Sequence, residues 1–177
     1  MNSTVKKVAS LFLSYLLGSV LYILLHEFGH TIVIWAAGGK VTEFSIATAY
    51  VSSFGGAYTE GLRLWLHANG AILPVVVVLV NMFCYRKESK NTFYHMFSFV
   101  GTIMPICSLL AWVVIPFVYM NGNAPAGDDV TKFLAIFSEN YSPLIVSVVA
   151  LLIVISGVLL MVKKGIIKNY VLEIKKQ

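Results

Sequence analysis

Four long apolar stretches divide the chain, at about 8–37, 62–85, 93–120 and 143–162. A bilayer core needs roughly 20 helical residues, so each stretch reads as a transmembrane helix; the first and third are long enough to require tilting or projection. Pro74, Pro105 and Pro116 fall inside these stretches and are expected to kink their helices. The segment 41–58 has a different period. Phe44, Ile46, Thr48, Tyr50, Ser52 and Phe54 alternate with Glu43, Ser45, Ala47, Ala49, Val51 and Ser53, and Gly55-Gly56 follows. Alternation of that kind predicts one or two short strands with a turn. Non-helical backbone survives at membrane depth only where it is buried in protein or lines a wet cavity. The predicted fold is therefore a membrane all-α, four-transmembrane-helix bundle with a short strand-like, re-entrant segment between helices 1 and 2. A single integral membrane domain is expected over residues 1–177, with a basic C-terminal tail at 163–177.

Composition agrees with this pattern. The chain is 58% hydrophobic and only 12% charged, against roughly 25% charged residues in soluble domains, which is too little to cover a soluble globule of this size. Disordered chains and disulfide-stapled secreted domains are excluded on the same grounds. Cys84 and Cys107 both sit in apolar runs, without the spacing of a disulfide framework or metal site.

The formal charge of +5 does not indicate a nucleic-acid partner, because membrane proteins carry excess Lys and Arg on their cytoplasmic side. Ten of the 13 basic residues fall on one side of the four-helix topology: Lys6, Lys7, Arg86, Lys87, Lys90, Lys163, Lys164, Lys168, Lys175 and Lys176. Lys40, Arg63 and Lys132 are left for the other. Both termini are accordingly expected in the cytoplasm, and the basic tail is expected to serve as a stop-transfer flank beside the lipid bilayer. The first stretch continues through polar residues without a small-residue cleavage pattern, so it reads as a retained helix and not a signal peptide.

Candidate chemistry lies in that first helix, at His26-Glu27-Phe28-Gly29-His30. Positions i and i+4 lie about 40° apart on one helix face, so His26 and His30 can bind one ion together. Glu27 stands beside them as a general base for a metal-activated water. Two histidines and a glutamate in mid-membrane are costly unless paired or metal-bound. A polar patch that merely holds helices together is the plainer alternative.

A catalytic zinc needs a third protein ligand and an open position. His95 falls on the opposite side from the motif and reads as an interfacial histidine. His67, Glu43 and Glu60 lie on the motif's side. Asp128 and Asp129 stand out more, since the loop after helix 3 returns to the leaflet that holds the histidine pair. The stretch Asn-Gly-Asn-Ala-Pro-Ala-Gly at 121–127 cannot be helical and is free to dip inward. Asp129 then opens an amphipathic run at 130–137 in the position of an N-cap. Asp129 is the preferred ligand, with Asp128 and His67 as alternatives; capping alone is the competing reading of both aspartates.

The His-Glu-x-x-His element in a transmembrane helix, followed by Gly38-Gly39 and a strand-like segment, resembles the site-2 protease superfamily of intramembrane zinc metalloproteases. The Gly-Asp-Asp-Val-Thr-Lys-Phe stretch at 127–133 is similar to the aspartate region of small bacterial members. The resemblance implies that His26, His30 and an aspartate hold a zinc ion and that Glu27 is the catalytic base. It also implies cleavage of a membrane-protein substrate in or near its transmembrane segment, in a bacterial plasma membrane. The Asn-Pro-Asp-Gly type of signature around the third ligand is absent here. The charge rule also sets the histidine pair nearer the outer face, whereas well-studied members hold theirs toward the cytosol.

Rival classes make their own demands. A transporter needs polar residues along a whole path, but the fourth helix offers only Ser147 and Ser156. A non-proteolytic metal-binding or partner-binding pseudoprotease usually loses its base, and Glu27 is present. A prenyl-protein protease of the other membrane zincin type needs a downstream glutamate ligand, and neither Glu139 nor Glu173 has a suitable setting. Asn69 is a candidate hydrogen-bond donor to substrate or, more simply, a bridge between helices.

Overall fold

The computed structural model describes residues 3–176. It is mostly helical, with the order α1 (Ser3–Ala36), β1 (Lys40–Ser45), β2 (Tyr50–Phe54), α2 (Glu60–Cys84), α3 (Thr92–Met120), α4 (Asp129–Phe137), α5 (Pro143–Lys164) and α6 (Ile166–Lys175). Helices α1, α2, α3 and α5 are long and apolar enough to cross a membrane. Their outer faces carry large apolar side chains: Val148, Leu152, Ile155 and Leu159 on α5 are all about half exposed or more. An apolar exterior of that extent is compatible with an integral membrane protein.

Local chemistry sets the element boundaries. Gly38 ends α1 with φ of +76°, and the amides of Gly38 and Gly39 turn back onto the carbonyls of Trp35 and Ile34. Only glycine adopts this left-handed turn at little cost. The chain then forms an antiparallel hairpin in which Lys40 faces Phe54 and Ser45 faces Tyr50, with an irregularity between Val41 and Glu43. Ser45 receives the amide and hydroxyl of Thr48 across the turn. The amide of Ala57 donates to the carbonyl of Ala37 at 2.8 Å, which pins the hairpin's exit to the end of α1. Thr59, Asn91 and Asp128 cap α2, α3 and α4 by accepting amides of Leu62, Tyr94 and Thr131. Pro143 opens α5 and Gly165, at φ of +78°, closes it.

Helix α1 packs against α2 and α3, and α3 also packs against α5. Val78, Met82, Tyr85, Ile106, Met161 and Ile166 form the buried apolar core toward the α2–α3 loop. The inner faces are joined by isolated hydrogen bonds, such as Ser147 Oγ to the carbonyl of Val113 at 2.8 Å. Such bonds act as glue between helices that have lipid-like exteriors.

Two sequence expectations require correction. The segment expected to be a basic tail is largely helical among the described residues: Lys163 and Lys164 end α5, and α6 folds back onto α3. Ile166 and Glu173 are buried, and Tyr170 stacks on Phe99 with centroids 3.9 Å apart. The lysines obscure an inward-facing stripe of helical period through Ile166, Tyr170 and Glu173. The N-cap of α4 is Asp128, and Asp129 is the first helical residue. The expected order is thus displaced by one position, with consequences at the site.

Candidate metal centre

The histidines come from one turn of α1, and the aspartate from the first residue of α4. His26 Nε2 and His30 Nε2 are 3.2 Å apart, and they lie 3.2 Å and 3.1 Å from Asp129 Oδ2. The three atoms make a nearly equilateral triangle. A tetrahedral ion with bonds of about 2.0–2.1 Å has ligand–ligand edges of about 3.3 Å, so the triangle fits one face of such a site. His26, His30 and Asp129 therefore form a group that can hold a metal ion.

Surrounding groups fix this arrangement. His30 Nδ1 donates to the carbonyl of Leu66 at 2.6 Å, which leaves Nε2 with its lone pair toward the triangle. Asp129 divides its oxygens, with Oδ2 toward the histidine pair and Oδ1 3.6 Å from His67 Nδ1. Burial raises the Asp129 carboxyl, but the imidazoles of His26, His30 and His67 grouped around it outweigh burial and hold it well below the usual carboxylate range. A carboxylate must be deprotonated to ligate a metal, and this setting favours that form.

Glycine allows α2 to approach this closely. A Cβ on Gly29 would collide with the backbone oxygen of Asn69, and a Cβ on Gly70 would lie 2.6 Å from His30 Nε2 and 2.8 Å from His26 Cε1. Asn69 Nδ2 donates to the carbonyl of Gly29 at 2.7 Å. Its amide is therefore used as a bridge between α1 and α2, the plainer of the two expectations for this residue.

The triangle opens on a cavity of about 520 Å³, which Glu27 also lines. Tyr22 and Ser108 form part of the wall, as do Ala49, Tyr50, Val51 and Ser53 of the hairpin. The 121–127 loop brings Gly127 and Asp128 to the same cavity. Asp128 nevertheless turns its carboxylate back on α4, accepting the Thr131 amide at 3.0 Å and the Thr131 hydroxyl at 2.6 Å. One aspartate caps the helix, and its neighbour faces the histidines.

Other expected candidates lie outside the triangle. His67 supports Asp129, while Glu43 and Glu60 take no part in the metal-type group found among the described residues. His95 is buried at the start of α3, between the Tyr85 hydroxyl at 2.7 Å and the Ser89 carbonyl at 2.6 Å. Glu173 is held by Thr92 and Lys176. The sequence reading missed Tyr22, although its position four residues before His26 was the available signal. Comparison with known protein families, curated proteins and solved structures finds no match for this chain.

Proposed function

We propose that this chain is an integral membrane zinc metalloprotease that hydrolyses peptide bonds in or near transmembrane segments of other membrane proteins. The observation that carries this reading is the His26–His30–Asp129 triangle, with Glu27 lining the same cavity. Two imidazoles and a carboxylate in tetrahedral spacing suit zinc. Three protein ligands leave a fourth position open, as catalytic sites do. When bound, zinc lowers the pKa of a coordinated water to about 7 and polarises the scissile carbonyl.

The chain's own residues supply the remaining functions. Glu27 takes the proton of the attacking water on its carboxylate and passes it to the departing amide nitrogen. Asp129 and His30 are held in place by His67 and the Leu66 carbonyl. A helical substrate must unwind first, because its amides are shielded. Strand β2 borders the cavity and belongs to a sheet of only two strands. One of its edges is therefore unpaired and suited to hold an extended segment by strand addition. The Lys and Arg distribution supports both termini in the cytoplasm. The four candidate spans and the resemblance to small bacterial site-2 proteases support a bacterial plasma membrane.

The test starts from metal content. Detergent-purified wild type should hold about one zinc per chain, and His30→Ala should lose it. Glu27→Gln should keep the metal and lose about 10²–10⁴-fold in cleavage of a reporter transmembrane segment. Folded wild type without zinc, or wild-type cleavage by Glu27→Gln, would overturn the proposal. Zinc bound without cleavage would favour a non-proteolytic metal-binding membrane protein.

A further inference from the structure

We propose that Tyr22 is a second catalytic residue, whose phenol donates a hydrogen bond to the scissile carbonyl oxygen as negative charge develops there. This inference rests on the protease reading above. Tyr22, His26 and His30 are spaced i, i+4 and i+8, and so share one stripe of α1. The Tyr22 and His26 rings have centroids 6.0 Å apart with planes inclined by 47°. Tyr22 lines the cavity together with Glu27 and the ligand triangle.

Ser108 of α3 lines the same cavity. Ser108 donates its own proton to the carbonyl of Pro105 at 2.8 Å. A neutral hydroxyl such as that of Ser108 is a weaker acceptor than an oxygen that is gaining charge. The phenol is thus a donor carried on a helix beside the cavity, as transition-state stabilisation requires. Other donors nearby are engaged or exposed. His67 faces Asp129, the Asn69 amide is bonded to Gly29, and Lys132 is exposed.

The step balances without an additional reactant. Water oxygen forms a bond to the carbonyl carbon while its proton moves to Glu27, and the π pair of the carbonyl moves onto its oxygen. Tyr22 hydrogen-bonds that oxygen and keeps its own proton throughout. When the carbonyl re-forms, the C–N bond breaks and the amine leaves with the proton from Glu27.

Two probes separate this role from a structural one. N-phosphoryl-leucine amide presents tetrahedral anionic oxygens that resemble the transition state, whereas mercaptoacetyl-leucine amide binds a metal through sulfur. Zinc-loaded Tyr22→Phe should bind the phosphoryl probe about 10–100-fold more weakly, the effect of losing one hydrogen bond to a charged group. Its zinc content and thiol-probe affinity should match wild type. Ser108→Ala should keep phosphoryl-probe affinity, because the donor remains.

Equal phosphoryl-probe affinity in wild type and Tyr22→Phe would overturn the assignment and leave the protease reading intact. Zinc loss or misfolding in Tyr22→Phe, or a Ser108→Ala loss equal to that of Tyr22→Phe, would make the pair a structural bridge and also overturn it. Wild type that holds zinc and binds only the thiol probe would refute the Tyr22 role. Wild type without zinc would remove the protease reading and this inference together.

Discussion

Replacing Gly70 by alanine adds one methyl group at the point where α2 crosses the histidine pair. The new Cβ would lie 2.6 Å from His30 Nε2, 2.7 Å from His30 Cε1 and 2.8 Å from His26 Cε1. Ordinary contact starts near 3.4 Å, so the nearest ring atom must give way by about 0.8 Å. His30 cannot swing freely, since its other nitrogen is hydrogen-bonded to the Leu66 carbonyl at 2.6 Å. Metal–ligand distances tolerate about ±0.2 Å, several times less than the required shift. Zinc affinity should therefore fall by about 10–100-fold or more, the scale seen when the partners that orient a ligand are lost. Global stability should change much less, because overpacking costs about 1–3 kcal/mol and alanine recovers up to about 1 kcal/mol of helix propensity. Gly61 on the same helix is the control, since a Cβ there meets nothing within 4 Å. Competition with a chromogenic chelator would measure affinity, and circular dichroism would verify the fold. Equal zinc affinity in Gly70→Ala and Gly61→Ala would refute the close-packed geometry on which the site depends.

The two aspartates should separate cleanly: Asp129→Ala should lose the metal, while Asp128→Ala should retain most of it and destabilise α4 by about 0.5–2 kcal/mol through loss of its cap. Metal analysis beside thermal unfolding would distinguish them, and the opposite pattern would exchange their roles. Removing zinc with a chelator should lower the unfolding temperature, since a ligand at 100 times its Kd stabilises the folded state by about 2.7 kcal/mol; His30→Ala should show no such change. The docking of α6 should depend on pH. Burial raises the Glu173 carboxyl, but Lys176, Thr92 and His95 outweigh burial and hold it below its ordinary value. Its contribution is therefore complete above the ordinary glutamate pKa and is lost as pH falls through the lowered folded value. Hydrogen exchange in α6 should accelerate in acid, and Glu173→Gln should remove that dependence.

Much of this design is local and hence legible in the sequence. The histidine pair needs only helical spacing, the four spans need only length and hydropathy, and alternation with paired glycines marks the hairpin. Asp129 required one more step, the return of the α3–α4 loop to the side of the motif. The roles of Gly29 and Gly70 are different. Nothing in either residue's own segment announces a close approach, because the colliding atoms belong to the other helix. Helix α6 was obscured by its lysines, and the placement of the N-cap depended on a one-residue competition between adjacent aspartates. Tyr22 lies on the histidine stripe, but its relation to Ser108 depends on the packing of α1 against α3.

The aspartate of the triangle follows His26 by 103 residues. At a synthesis rate of about 5–20 residues per second, the histidines and glutamate exist for roughly 5–20 s before the aspartate is made. During that interval, α1 carries two imidazoles and a glutamate but lacks the carboxylate that closes the triangle. A nascent chain thus cannot complete its candidate metal site until α4 has been made. Truncation before α4 would leave the same half-built centre, with its most recognisable motif intact and no third ligand to complete it.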